Sequence, residues 1–255
     1  MLALISPAKK LTFDTRDPSQ KSTDPIFLKD TLELSKVTSK LSRADLRQMM
    51  KISDKLADLN YQRFQNFKEN PIEGETKQAI LAFAGDTYTG LDAPTLVSND
   101  LKFAQDHLRI LSGFYGLLRP LDMIQPYRLE MGRKLRTKRG ETLYEFWGDK
   151  LANAIDEQLK GHKKATVINL ASNEYFKAIS GKTLKAPIIN MIFKEEKAGQ
   201  YKVIGLFAKR ARGAMARYMI KNRIETPEDL KSFVKDGYTY QPSMSNDRDW
   251  VFTRP

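Results

Sequence analysis

The chain is expected to fold as a mixed α/β (α+β) protein, with one principal mixed sheet flanked by helices. Three observations lead there. Short apolar runs such as LALIS (2–6) and ATVINLAS (165–172) read as buried strands, and stretches with apolar residues at helical spacing separate them. The composition is that of a packed globule, 41% hydrophobic and 10% aromatic, with 29% charged residues. No internal repeat, low-complexity tract or linker divides the 255 residues, so one compact domain over 1–255 is expected, with its own large core.

In chain order, LALIS leads through Pro7 into a polar loop, AKKLTFDTRDPSQKSTDP. From Ile26 to Leu41 apolar residues fall near helical spacing. Ser42 is placed to cap a second helix from Arg43, and Ser53 or Asp54 a third after a break near Ile52. An αα-hairpin here would bury Leu46, Met50, Leu56, Leu59 and Phe64. Gln78 to Phe83 fits strand or helix. Asn99 opens a helix predicted to run through Ser112. RKLRTKRG (133–140) is a basic loop or hairpin, and Thr142 precedes a long amphipathic helix with Phe146, Leu151, Ile155 and Leu159 inward. After the strand at 165–172, Ser172 or Asn173 caps a short helix that Gly181 ends. Residues 186–196 and 200–212 read as two strands joined by the turn KAGQ, and Gly213 opens the helix AMARYMIKNRI. Thr226 and Pro227 start another helix, and 237–254 is a closing hairpin.

The absence of cysteine removes disulfides, thiolate catalysis and cysteine metal sites, and fits a reducing compartment. The N-terminal apolar run is short and its lysines follow rather than precede it, unlike a secretory signal. No stretch approaches the ~20 apolar residues of a membrane span. A cytoplasmic protein is expected, with no membrane partner and a monomer favoured. The formal net charge of +12 attracts polyanions, of which nucleic acid is the commonest.

Chemistry concentrates in three places. On the basic helix, Arg210, Arg217 and Lys221 are spaced seven and four apart and share a face, with Lys209, Arg212 and Arg223 near them and Met215, Met219 and Ile224 opposite. That face reads as phosphate-binding or as merely solvated, with the helix N-terminus behind Gly213 offering N–H groups to an anion. The piece at 43–67 has the outline of a helix-hairpin-helix, with Arg47, Lys51, Lys55 and Arg63 as its basic groups, although its turn lacks glycine. Third, polar residues are predicted to converge beyond strand carboxyl ends: Lys9, Asp86, Asn169, Ser172, Glu174 and Tyr175. Tyr115, Arg119, Tyr127, Arg128 and Glu130 join them from the stretch Leu111–Gly132, where charges sit inside apolar sequence. Lys9, Asp86, Tyr115, Arg128, Glu130 and Glu174 are the acid–base candidates; buried Arg–carboxylate pairs serving only structure are the competing reading. No phosphate-cradling glycine loop or nucleophile elbow is present. His107 and His162 lie far from other ligand types at metal spacing, so no metal and no cofactor is expected.

ISPAK (5–9), AFAGDTYTGL (82–91), LRILSGFYGLLRPLDMIQPYRLEMG (108–132), LYEFWGD (143–149), INLASNEYF (168–176) and AKRARG (208–213) together resemble the YaaA family of bacterial peroxide-stress-resistance proteins. The resemblance implies a compact α/β fold with a positively charged cleft, a helix-hairpin-helix element and duplex DNA binding. It also implies limitation of hydrogen peroxide damage, linked to lower free intracellular iron. Within it, 43–67 becomes the hairpin element and Lys209, Arg210 and Arg212 cleft residues; no catalytic residues transfer. The expected function is therefore backbone-directed, largely sequence-independent binding of duplex DNA. The alternative is an enzyme acting on nucleic acid or a nucleotide, by glycosylase- or lyase-type chemistry on a damaged or flipped base. Asp86, Glu130 or Glu174 would supply acid or base there and Tyr115 would stack. A third class, iron handling, lacks both cysteine and a Glu-x-x-His pair, which makes any effect on iron indirect.

Overall fold

The computed structural model describes residues 1–13, 22–72, 74–180 and 183–255. Gly181, read above as a helix end, and residues 14–21 of the polar loop lie outside them. The first strand, β1 (Leu2–Ile5), is apolar on both sides and wholly buried, as suits a central parallel strand. A long excursion follows: β2 (Lys10–Leu11), α1 (Leu28–Thr38), α2 (Arg43–Met50), α3 (Asp54–Gln65), β3 (Lys77–Gln78), α4 (Ala79–Ala82), β4 (Phe83–Ala84), α5 (Asp86–Leu91) and α6 (Ser98–His107). The chain returns to the sheet as β5 (Leu108–Ser112), turns into β6 (Gly116–Leu118) and leaves through β7 (Met123–Ile124). The hairpin β8 (Lys134–Thr137) and β9 (Gly140–Thr142) precedes α7 (Leu143–Trp147) and α8 (Lys150–Leu159). Then come β10 (Val167–Leu170), α9 (Asn173–Phe176), β11 (Ile188–Lys197), β12 (Gln200–Lys202), α10 (Gly205–Lys221), β13 (Thr239–Tyr240) and β14 (Asp249–Arg254).

The main sheet has the order β13-β14-β11-β10-β1-β5-β6, with β12 paired to β11. Its five inner strands, β14-β11-β10-β1-β5, run parallel, and the strands added at the edges run antiparallel. The mixed α/β class expected from the alternation of patterns is therefore the observed one. From β1 the chain moves first to β5 on one side and then to β10 on the other. Strand order thus reverses at β1, and a crevice opens beyond the carboxyl ends of such strands. Among the described residues no helix is long and apolar enough to cross a membrane.

Four local expectations change. The helix opened near Asn99 stops at His107, and Leu108–Ser112 is a strand with all five residues buried. The run LRILS is buried even at Arg109, which donates to Gln158 and to the Gln105 and Leu108 carbonyls, and at Ser112, which binds the Tyr127 hydroxyl; pairing with β1 and β6 satisfies its backbone there. The helix after Thr142 is two helices, because Gly148 takes a positive φ of 48° between them. The second strand of the 186–212 pair ends at Lys202; residues 205–221 form α10, so Gly213 lies inside a helix and offers no free N-terminus. Gln78 to Phe83 is a strand end, one helical turn and a strand start in succession.

Three of the caps read from the sequence are made, whereas Ser172 stands before α9 and Thr226 before a 3-10 turn (Pro227–Ser232) without a side-chain cap hydrogen bond. Ser42 and Asp45 form a capping box on α2, Ser53 accepts from the N–H of Leu56 on α3, and Thr142 pairs with Glu145 on α7. The α2–α3 turn is tight, with Lys51 in the left-handed region at φ 54° where glycine is the usual occupant. Leu46, Met50 and Phe64 are buried as expected, but Leu56 and Leu59 are exposed; α3 turns Ala57, Asn60 and Phe64 inward instead. The buried face lies one position further along than apolar residues alone indicate, and buried Asn60 is tolerated there because its amide donates to Leu56 O.

Candidate functional site: a charged cavity at the carboxyl ends of β1 and β10

Beyond the ends of β1 and β10 lies a cavity of about 450 Å3. Ser6 to Lys10 continue β1 into it. Ala84 to Tyr88 enter from β4 and α5, Tyr127 to Glu130 from the extended chain after β7, and Ser172, Glu174 and Tyr175 follow β10. Lys209 and Arg212 reach it from α10. Ten of the residues assigned to chemistry or phosphate contact from the sequence therefore come together. Lys9, Asp86, Tyr127, Arg128, Glu130, Ser172, Glu174, Tyr175, Lys209 and Arg212 line one cavity.

Three expected members are elsewhere. Tyr115 is 1% exposed, and its hydroxyl accepts from the N–H of Gln125 inside a cluster with Phe67, Phe114 and Tyr127. It cannot stack on a ligand. Arg119 clamps buried Asp122 at 2.8 Å and donates to Asp24 O, which makes it a brace of the loop before β7. Asn169 lies within β10 and donates to the side chain of Asn190 on β11. The glycines of the same stretch serve close packing. A Cβ on Gly113 would stand 2.3 Å from Leu129 O, and Gly116 takes φ +72° against Trp147. Trp147 Nε1 donates to Gly113 O, and Ser112 Oγ binds the Tyr127 hydroxyl at 2.6 Å. The block is thus a rigid frame that delivers Arg128 and Glu130 to the cavity wall.

Glu130 is the focus of the charges. It is 3% exposed, and its Oε1 lies 3.1 Å from Arg128, 3.5 Å from Arg133 and 3.7 Å from Lys9. Three cations on one oxygen supply the compensation a buried carboxylate needs. Its other oxygen, Oε2, has no hydrogen-bond partner among the described residues, nor do Arg128 Nε and Arg212 Nε. Buried polar atoms are paired as a rule, so unpaired atoms clustered on one cavity call for an external partner. Burial alone lowers the Arg212 guanidinium pKa, with no carboxylate to offset it. Glu174 Oε1, by contrast, accepts from Gly132 N at 2.9 Å, and Asp86 stands 3.8 Å from Arg210.

Three tyrosines complete the wall. Tyr88 donates to Ser6 O, Tyr127 is bound to Ser112, and burial pushes the hydroxyls of Tyr88, Tyr127 and Tyr175 upward in pKa, so all three are neutral. Tyr88, Ser6 and Lys10 were not singled out as site residues, although the first two fall in motifs quoted above. The signal was their adjacency to β1 and Gly85.

The remaining basic candidates are distributed as follows. Arg210, Arg217 and Lys221 do share a face of α10, but that face packs on carboxylates and carbonyls. Arg210 meets Asp86, Arg217 donates to Leu91 O and Asp92 O, and Lys221 lies 2.9 Å from Asp100. Arg47 bridges to Asp54 at 3.3 Å, Arg63 donates to Asn60, and Lys51 and Lys55 are exposed at the α2–α3 turn. The fold also brings together residues that sequence distance kept apart. His107 and His162 rings are 4.8 Å apart, with the Met1 amine 3.3 Å from His162 Nδ1. Among the described residues no group of three or more His, Asp or Glu is arranged to hold a metal ion.

Comparison with known proteins finds matches along nearly the whole chain. A family model described as peroxide stress protein YaaA matches residues 1–244. UPF0246 proteins from Caulobacter vibrioides and Saccharophagus degradans are each 52% identical over the whole of this chain and 99% of their own length. A UPF0246 protein from Aliivibrio fischeri is 47% identical over the whole chain and 98% of its own length. With matches of that extent and identity, the chain belongs to the YaaA family of peroxide stress proteins.

Proposed function

We propose that this peroxide stress protein acts in the cytoplasm by binding duplex DNA along its sugar–phosphate backbone, largely without reading sequence. The observation that carries the reading is the surplus of cations, +12 over the chain, with Lys209 and Arg212 lacking carboxylate partners among the described residues. Such a surplus binds polyanions by releasing condensed counterions. The contact set we assign is Lys209 and Arg210 on α10, with Arg47, Lys51 and Lys55 at the α2–α3 turn acting as the helix-hairpin-helix element. Arg47 and Arg210 keep exposed side chains in loose pairs with Asp54 and Asp86, whereas Arg63, Arg217 and Lys221 are held in part-buried hydrogen bonds to Asn60, to the Leu91 carbonyl and to Asp100 and would add less. The test is affinity for one duplex across a salt series. Log affinity is expected to fall linearly with log salt, by about 0.9 per phosphate neutralised, and a scrambled duplex of equal length should bind alike. A flat salt response would exclude this function.

A further inference from the structure

We propose that the cavity beyond β1 and β10 holds one unpaired nucleotide. Its base would lie along the Tyr88–Tyr175 wall with an N–H on Glu130, and its phosphate between Lys9, Lys209 and Arg212. The inference rests on the DNA-binding reading for the source of that nucleotide within a strand; a free mononucleotide offers the same chemistry.

Size comes first. A cavity of about 450 Å3 is in the range of small-ligand sites and cannot admit a base-paired duplex. Backbone contact alone leaves it unexplained. Its two halves differ in chemistry. The mouth is cationic: the Lys9 side chain is 64% exposed, and Lys209 is exposed beside it. The inner part is lined by the buried tyrosines Tyr88, Tyr127 and Tyr175, and the hydroxyls of Tyr88 and Tyr127 are tied back into the protein, which leaves ring carbon as what those two offer a ligand. Stacking on such rings is how bases are held without regard to sequence. Against this wall sit an acceptor and a donor left without partners, Glu130 Oε2 and Arg128 Nε. An ionised phosphate, whose oxygens only accept, would leave Glu130 Oε2 without a donor, and a sugar hydroxyl, which both donates and accepts, would leave the aromatic wall uncovered. A nucleobase edge carries an N–H beside a carbonyl or ring nitrogen, and so supplies both at once. An unpaired base enters at less cost than one that must first be extruded from a helix.

The experiment compares a perfect duplex with the same duplex carrying one extrahelical 2-aminopurine, by anisotropy and by 2-aminopurine emission. The bulged duplex should bind about tenfold tighter, the worth of one good stacking or hydrogen-bonding contact, with emission changing on binding. Glu130→Gln should remove the preference. Arg212→Gln should do the same and serves if the first variant melts early. Equal affinity for both duplexes with unchanged emission would overturn the inference and leave backbone binding standing. A calorimetric arm separates the sources. If neither duplex binds but deoxyguanosine monophosphate binds about tenfold tighter than inorganic phosphate, and Glu130→Gln abolishes that, the site takes free mononucleotide and the DNA reading fails. Equal binding of deoxyguanosine monophosphate and inorganic phosphate, with no preference for the bulge, overturns the proposal in both forms.

Discussion

Asp100 shows how much of this protein's charge is spent internally. It is 2% exposed at the start of α6, and burial by itself would raise its pKa. Hydrogen bonds from Lys221, Arg223 and Val97 N outweigh that and bring it to about 2. The pair with Lys221 joins the end of α10 to α6. Asp100→Asn removes the charge that both cations face. It is expected to cost roughly 3 kcal/mol, as when one partner of a buried ion pair is lost, measured as a drop in urea midpoint at constant slope. The histidine pair makes a second residue-scale prediction. Burial, together with the charges of the Met1 amine, His107 and Arg109, lowers the His162 pKa to about 4; burial lowers the Met1 amine to about 6. His107 is lowered chiefly by burial, although Glu225 and Asp106 face it. Each group is a cation whose folded pKa lies below its unfolded one. The unfolded chain therefore binds more protons as pH falls, and stability is lost from about pH 8 down to about pH 4. After discounting for partial exposure, about 1 kcal/mol is expected between pH 7.5 and 5. Melting temperatures over that range check it, and His162→Gln should flatten the curve. If the variant's melting curve tracks the parent's, these groups are not the cause.

At the scale of elements, the crossing of α5 and α10 positions one side of the cavity. A Cβ on Gly213 would lie 1.8 Å from Thr87 O, and one on Gly90 2.0 Å from Arg210 O. Backbone meets backbone, so neither contact can relax by a side-chain shift. Gly213→Ala is expected to force the helices apart and cost at least ~3 kcal/mol, at the upper end of overpacking. It should also weaken ligand binding, because Asp86 leaves on one helix and Lys209 and Arg212 on the other. Gly205, at the open start of α10 with nothing within 4 Å of its would-be Cβ, is the control. Gly205→Ala should be neutral or stabilise by about 0.5–1 kcal/mol. Thermal melts of the two variants decide whether the close crossing or helical glycine in general matters.

Across the whole molecule, stability and attraction to polyanions draw on largely different cations, with Arg210 belonging to both sets. Replacing Arg210, Arg217 and Lys221 together by Ala strips α10 of its partners Asp86, Asp92 and Asp100. A loss of about 2–4 kcal/mol is expected, read by urea denaturation. Replacing Arg47, Lys51 and Lys55 by Ala removes exposed charges, one of them in a surface pair with Asp54. That should leave stability within about 1 kcal/mol, while lowering duplex affinity and the steepness of its salt dependence. If the second set leaves affinity untouched, the α2–α3 turn is not a DNA contact.

Local signals determined much by themselves. Both-sided apolar runs marked β1 and β10, and Ser42, Ser53 and Thr142 announced their helices, because caps and strand patterns act within a few residues. The motif blocks carried the family. Most of the cavity is legible too: Lys9, Ser172 and Glu174 line it because parallel strands put their following residues at one edge, and Glu130 is marked by a charge set inside apolar sequence. What only the tertiary structure decided were matters of partner and distance. LRILS became a strand because β1 was there to pair with it. Gly213 went inside a helix because α5 needed a place to touch. Tyr115 and Arg119 went to the frame rather than the site. Arg217 and Lys221 met carboxylates more than a hundred residues away. A charge looks the same in sequence whether it faces solvent, a ligand or a buried acid. The energy that chooses among these depends on burial and distance, which arise only when remote segments pack together.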